Sequence, residues 1–157
     1  MIRIDRDSPT RDDVHLLLSE HLADMFATSP AESVHALDHS ALSAPPITFW
    51  TAREEGDLLG CGALKLLDSP TGPARHGEIK SMRTAATARG RGVATLMLRH
   101  ILDHARARNL EHVYLETGTE DYFAPARRLY ARHGFTECPP FADYVLDPNS
   151  VFMKLGL

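Results

Sequence analysis

The sequence has 157 residues, of which 43% are hydrophobic and 24% are charged, a composition typical of one globular domain. Lys and Arg number 17 against 21 Asp and Glu, and the net charge of −4 argues against bulk binding to nucleic acid or to an anionic membrane. The two cysteines, Cys61 and Cys138, form neither a CxxC pair nor a disulfide framework. The sequence lacks a signal-peptide core and a long apolar run, so we expect one cytoplasmic domain over residues 1–157.

The first half of the chain predicts a strand, helices and a hairpin. Ile2 and Ile4 alternate with charged residues, which indicates a short strand, and the apolar spacing over residues 14–26 predicts a helix. Residues 28–43 are expected to add a second short helix through Val34 and Leu37, so that the two form a surface helix pair.

Two β-favouring runs follow, at residues 47–53 and 58–67. The turn between them contains Gly56, and this arrangement predicts an antiparallel hairpin.

The second half reads as a βαβ unit followed by a helix and strands. Residues 76–84 and 111–117 are strand-like, and the helical stretch 92–108 between them is apolar on one side only. A short helix over residues 125–133 and extended pieces after Phe135 and over 151–155 complete the chain. The order predicts an α/β fold, with a mixed, mostly antiparallel sheet around one parallel pair and helices on both faces.

The most informative segment runs from residue 77 to residue 98, where a strand leads through RGRG into a helix. Free N–H groups at a helix start, with the positive end of the helix dipole behind them, bind phosphate oxygens. The segment is neither a Walker loop nor a GxGxxG turn, because the GK[ST] sequence and the third glycine are missing. On these residues alone, a simple helix cap remains the alternative.

The same segment resembles the GNAT superfamily of acetyl-CoA-dependent N-acetyltransferases, whose signature [QR]xxGx[GA] reads here as Arg89, Gly92 and Ala94. Upstream, GEIKSMRT looks like the central strand of that family. Downstream, FAPARRLYARHGF is similar to its xxxAxxLYxxxGF segment, with the matching positions Ala126, Leu129, Tyr130, Gly134 and Phe135. The three blocks stand in the family's order, and the resemblance covers nearly the whole chain.

The resemblance implies acetyl-CoA as the cofactor and no metal. It implies that backbone N–H groups hold the pyrophosphate at Arg89, Gly90, Arg91, Gly92, Val93, Ala94 and Thr95. The pantetheine would pair like an extra strand with the backbone of Met82, Arg83 and Thr84. Phe123 stands where many members carry an Asn that bonds the pantetheine, so that side-chain hydrogen bond is expected to be absent.

The same resemblance suggests catalytic roles for Tyr130 and Glu78. A phenol with a pKa near 10 suits a proton donor to a leaving thiolate, and the family places an acid at Tyr130; a half-buried core tyrosine is the alternative. Glu78 matches a position where some members carry a general base, and a solvated strand-end carboxylate is the alternative. A backbone N–H near Met82 is the expected oxyanion donor.

Several other polar groups admit two interpretations. His100 and His104 lie one helical turn apart, but no further ligands are apparent and we predict no metal site there. The family uses the region after the first helix to form the acceptor pocket, so His35 and His39, with Ser33 and Asp38, are either substrate contacts or ordinary surface groups. Glu116, Glu120 and Asp121 are either attractors of an ammonium group or solvated loop charges.

The leading hypothesis is direct acetyl transfer to a small-molecule amine in a ternary complex. The alternative is a non-catalytic acyl-CoA-binding module on the same fold. A nucleic-acid-binding role for Arg83, Arg89 and Arg91 is disfavoured by the acidic total. We expect no nucleic-acid or membrane partner, and the sequence leaves the oligomeric state open, a homodimer included.

Overall fold

The computed structural model describes residues 1–35 and 39–157, which form seven strands and three α-helices. In chain order they are β1 (Arg3–Arg6), α1 (Asp12–Thr28), β2 (Ile47–Glu54), β3 (Asp57–Leu66), β4 (His76–Thr84), α2 (Val93–Ala107), β5 (His112–Gly118), α3 (Ala124–Arg132), β6 (Thr136–Glu137) and β7 (Ser150–Gly156). None of the helices in these described ranges is long and apolar enough to cross a membrane.

The strands form one sheet in the order β1-β2-β3-β4-β5-β7-β6. All neighbours are antiparallel except β4 and β5, which pair in parallel. The predicted α/β fold with a central parallel pair is therefore confirmed. The β2–β3 turn contains Gly56 at φ 87°, as the hairpin prediction required.

Helices cover the two faces of the sheet. Alternating side chains of β2 point to opposite sides, so that Phe49 packs with Leu17 and Leu18 of α1 while Trp50 packs with the buried face of α2. That face of α2 consists of Val93, Met97, Leu98, Ile101, Leu102 and Ala105. The predicted one-sided helix is thus confirmed, and its burial fixes the orientation of the residues that precede it.

The predicted second helix over residues 28–43 is wrong for the part that the structure describes. Residues Ala31–Ser33 and Ala41–Ser43 form single 3-10 turns, and Val34 is extended. The side chain of Ser33 donates a 2.7 Å hydrogen bond to Asp147, a tertiary contact that the local sequence pattern does not contain. Leu37 lies outside the described residues.

Candidate active site

The parallel strands β4 and β5 separate where the candidate site begins. Their pairing covers only three positions and ends at Glu78 opposite Tyr114, although both strands continue beyond it. On the other side of β4, Ser81 and Met82 together face the single residue Gly62, which is a β-bulge with Ser81 at φ 56°. The separation leaves the second half of β4 without a pairing register on its β5 side.

Close packing at the bulge explains Gly62. A Cβ atom there would lie 2.8 Å from Met82 Sδ, 2.9 Å from Met97 Cγ and 3.1 Å from Ile101 Cδ1. The bulge and α2 therefore approach β3 more closely than a larger residue would permit.

A cavity of about 630 Å³ lies between the end of β4, the start of α2 and α3. Its walls include most of the residues predicted to bind the cofactor, together with the predicted acid: Met82, Arg83, Thr84, Arg89, Gly90, Gly92, Val93, Ala94, Thr95, Phe123 and Tyr130. Arg91 is not among the lining residues. Its guanidinium instead contacts Glu54 at 2.6 Å.

The start of α2 provides donors to this cavity. Gly92 adopts φ 79° immediately before the helix, and no side chain of the described residues caps it. The first N–H groups of a helix have no carbonyl partner within it, and those of α2 begin at Val93, on the cavity wall. The left-handed conformation of Gly90 and Gly92 explains why glycine occupies both positions.

An ion pair joins α1 to β4 at the edge of the cavity. Arg83 donates at 2.7 Å to Asp24 and at 2.9 Å to the Tyr122 hydroxyl. The hydrogen bond from Arg83 holds the pKa of Asp24 below its ordinary value. Sequence reasoning missed Asp24 and Tyr122, because they approach Arg83 only in the folded chain.

Tyr130 lies where the large cavity meets a smaller one. It is 6% exposed and lines both. Burial raises the pKa of Tyr130 above its ordinary value, so the phenol keeps its proton at neutral pH. Tyr130 is therefore a buried residue that also lines both cavities, and its role as the acid stays a prediction.

The smaller cavity, about 100 Å³, lies between β4, β5 and α1. Glu78 lines it and is only 3% exposed, so the alternative of a solvated carboxylate is wrong. Glu78 accepts a hydrogen bond from Tyr144 and another from Lys80 at 3.3 Å, while Lys80 also donates to the Tyr144 hydroxyl at 3.0 Å. Lys80 thereby neutralises the buried charge of Glu78.

Glu116, on β5, is the second carboxylate on this smaller cavity. Burial raises the pKa of Glu116 to about 7 from its ordinary value of 4.5, with the negative charge of Glu78 adding to the rise and Lys80 opposing it. A group with this pKa exchanges protons near neutral pH.

His21 of α1 also lines both cavities, and sequence reasoning missed it. Burial, reinforced by the charge of Arg83, lowers the pKa of His21 to about 4. The imidazole is therefore neutral at physiological pH and is a much weaker base than Glu116.

Cys61 is the thiol on the large cavity. Burial raises the pKa of Cys61 to about 12, and its Sγ donates to the carbonyl of Ser81 at 3.2 Å. A protonated, buried thiol is a poor nucleophile.

The residues expected to contact the acceptor lie in different surroundings in the structure. His35 lines the smaller cavity, and its carbonyl accepts a hydrogen bond from Lys80 at 3.1 Å. His39 stacks on His15 with ring centroids 3.8 Å apart and lines neither cavity. Ser33 is engaged with Asp147, and Asp38 lies outside the described residues.

Phe123 packs against Gly118 and lines both cavities. A Cβ at Gly118 would lie within the Phe123 ring. Phe123, one of the residues predicted to bind the cofactor, therefore presents an apolar ring to the large cavity.

Comparison with known proteins agrees with this geometry. The sequence model of the acetyltransferase (GNAT) family matches residues 14–135. YsnE of Bacillus subtilis (strain 168), an uncharacterized N-acetyltransferase, is 52% identical over 151 residues, which are 96% of this chain and 97% of that protein. YedL of Escherichia coli (strain K12), described in the same words, is 49% identical over 157 residues, 100% of this chain and 96% of that protein.

The family model and these relatives identify the chain as an acetyltransferase. The crystal structure of a Bacillus subtilis acetyltransferase in complex with CoA superposes with a TM-score of 0.71 over 100% of this chain and 99% of that chain, at 15% identity, which shows the shared fold. The chain belongs to the GNAT family of acetyltransferases.

Proposed function

We propose that this enzyme transfers the acetyl group of acetyl-CoA to a primary amine of a small molecule, by direct transfer in a ternary complex. The observation that carries the proposal is the position of Tyr130, which lines both the large and the small cavity. A donor in the larger cavity and an acceptor in the smaller one would meet at its hydroxyl.

The large cavity suits the thioester donor. Its volume of about 630 Å³ and the free N–H groups at the start of α2 fit a long molecule with a pyrophosphate. Arg89 and the first turn of α2 would hold the phosphates, and the unpaired side of β4 at Met82, Arg83 and Thr84 would bond the pantetheine. Arg91 would contribute little, because Glu54 already neutralises it.

Acetyl-CoA supplies an acetyl group activated as a thioester. Tyr130 would donate its proton to the sulfur as the C–S bond breaks, and Glu116 would accept the proton that the amine nitrogen loses as the C–N bond forms. The N–H of Met82, at the bulge, would donate to the oxygen that becomes negative. The raised pKa of Cys61 supports direct transfer over an acetyl-cysteine route.

Glu78 stays a prediction as the general base. Its hydrogen bonds with Lys80 and Tyr144 support an alternative role, in which Glu78 shapes the smaller cavity and Glu116 removes the proton. Glu78→Gln and Glu116→Gln separate the two roles. Loss of the general base makes the rate depend on the fraction of the acceptor that is already neutral. A change in the shape of the smaller cavity instead raises the KM for the acceptor at every pH.

The smaller cavity supports a small, uncharged amine end as acceptor. At about 100 Å³ it is much smaller than the large cavity of about 630 Å³. Apolar walls at Met25, Leu115 and Ala126 leave Glu116 as the nearby unneutralised carboxylate. A peptide-like α-amine with a pKa near 7.7–8.0 has far more neutral form at pH 7 than a lysine amine near 10.4.

The direct experiment is a thiol-release assay with acetyl-CoA and a panel of α-amino acids, arylamines, polyamines and lysine-containing peptides, with product mass as confirmation. We expect release with free small amines, fastest for those of low pKa. Preference for peptide lysines over every free amine would contradict the acceptor class. Tight CoA binding without release for any amine would contradict transfer to amines and favour the non-catalytic alternative.

A further inference from the structure

Two histidines and a glutamate meet at the other end of the parallel pair, where β4 and β5 begin. His76 and His112 stand opposite each other in the parallel register, with ring centroids 5.2 Å apart. Glu111 immediately precedes His112, and one ligand atom from each of the three side chains lies within 4.8 Å of the others. None of the three residues lines either cavity.

The two imidazoles have unused nitrogen atoms. Nδ1 of His76 and Nδ1 of His112 are both buried and have no hydrogen-bond partner among the described residues. Buried polar atoms normally find a partner, so two unpaired nitrogens in one cluster point to a ligand that accepts lone pairs.

The three ligand atoms suit a metal ion of intermediate hardness, such as Zn²⁺. Two imidazole nitrogens and one carboxylate oxygen are ligands that Zn²⁺ takes at about 2.0–2.2 Å, with water in the fourth position. Tetrahedral coordination at those lengths brings ligand atoms to about 3.4 Å from one another. The ligand atoms lie within 4.8 Å of one another, and rotation of the exposed Glu111 side chain and adjustment of the two rings would bring them to that separation.

Two backbone hydrogen bonds fix the position of Glu111 in this cluster. The N–H of Glu111 donates to the Arg75 carbonyl at 2.6 Å, and the N–H of Leu157 donates to the Glu111 carbonyl at 2.9 Å. The side chain of Arg75 lies 3.8 Å from the Glu111 carboxylate. That ion pair is exposed on both sides and is therefore weak, so a divalent ion can displace it.

We propose that His76, Glu111 and His112 bind a divalent transition-metal ion of the Zn²⁺ type, which ties the start of β4 to the start of β5. This parallel ladder has only three register positions, so a cross-strand tie would strengthen a short connection. The ion binds the folded chain and so stabilises it by mass action. Glu111 and His112 lie 35 and 36 positions after His76 in the chain, so no spacing motif signals the three ligands, and the sequence predicts no metal.

The test is Zn²⁺ titration of the EDTA-treated, dialysed protein by calorimetry, with the melting temperature measured in parallel. We expect one equivalent to bind and the melting temperature to rise. Co²⁺ at the same site is expected to give visible absorption bands of a four-coordinate ion. No acetyl-CoA is present, so the result is independent of the proposed acetyl transfer.

Variants identify the ligands. His76→Gln and His112→Gln should each weaken Zn²⁺ binding by more than about 100-fold, beyond the 10–100-fold typical of losing an outer partner, and Glu111→Gln should weaken it less. His15→Gln is the matched control, because it removes one ring from the other histidine pair and should leave binding intact. Glu111 is exposed, so its variant keeps the test valid if a histidine variant fails to fold.

Absence of saturable Zn²⁺ binding by the parent protein would overturn the proposal. Equal binding by the parent and all three ligand variants, or loss of binding in His15→Gln alone, would overturn it as well.

Discussion

The Tyr144 hydroxyl donates a hydrogen bond to Glu78 Oε2, across 66 positions of the chain. Lys80 completes the group by contacting both side chains. The segment before β7 therefore fixes the orientation of a buried carboxylate on the smaller cavity. Burial and the charge of Glu78 raise the pKa of Tyr144 above its ordinary value.

Tyr144→Phe should cost about 1–3 kcal/mol of stability, because Glu78 loses a donor while it stays buried. It should also raise the KM for the acceptor more than it lowers kcat. Urea unfolding and acceptor kinetics measure the two effects. Tyr114→Phe is the control, since Tyr114 lines neither cavity. Equal stability of the two variants would contradict the role of this hydrogen bond.

Glu116→Gln should change how stability depends on pH. The folded pKa of Glu116, about 7, lies above its ordinary value of 4.5, so the folded state holds a proton that the unfolded state has lost between these values, and stability falls as pH rises through that window. The variant should gain roughly 1 kcal/mol relative to the parent between pH 5 and pH 8, after discounting for partial exposure.

Urea midpoints at the two pH values test this, with exposed Asp121→Asn as the control. Titration of Glu116 should make kcat/KM of the parent enzyme rise near pH 7, and Glu116→Gln should lose that rise. An unchanged profile would exclude Glu116 as the group that titrates in catalysis.

Gly92→Asp should abolish CoA binding, because it places a negative charge at the start of α2 and strains a residue at φ 79°. The measurement is the rise in melting temperature with CoA. Gly56→Asp is a matched control: Gly56 has φ 87° and, like Gly92, nothing within 4 Å of an added Cβ. Unchanged CoA affinity in folded Gly92→Asp protein would contradict the phosphate site.

Gly62→Ala should destabilise the fold by about 1–3 kcal/mol, the usual cost of overpacking, because its Cβ would meet Met82, Met97 and Ile101. Gly156→Ala is the control, since its Cβ would come no closer than 3.9 Å to His112. Urea unfolding compares them. Similar stability of both variants would mean that the bulge adjusts without cost.

The sequence predicts most of the lining of the large cavity because many of its parts are close together in the chain. Arg89, Gly90 and Gly92 lie in the short segment between β4 and α2, so a local pattern fixes strand, turn and helix start together. Other contacts around the two cavities are long-range: Lys80 and Tyr144 lie 64 positions apart, and Arg83 and Asp24 lie 59 apart. No local periodicity contains such pairs.

The most direct test of the account compares the parent enzyme with Tyr130→Phe, using thiol release at saturating acetyl-CoA and amine together with calorimetric CoA affinity. The account predicts that kcat falls by about 10²–10⁴-fold, the loss typical of a general acid, while CoA affinity and the urea midpoint stay close to those of the parent. Tyr114→Phe should retain full activity. Turnover of Tyr130→Phe within about threefold of the parent, far short of such a loss, would contradict the account and leave Tyr130 as a packing residue.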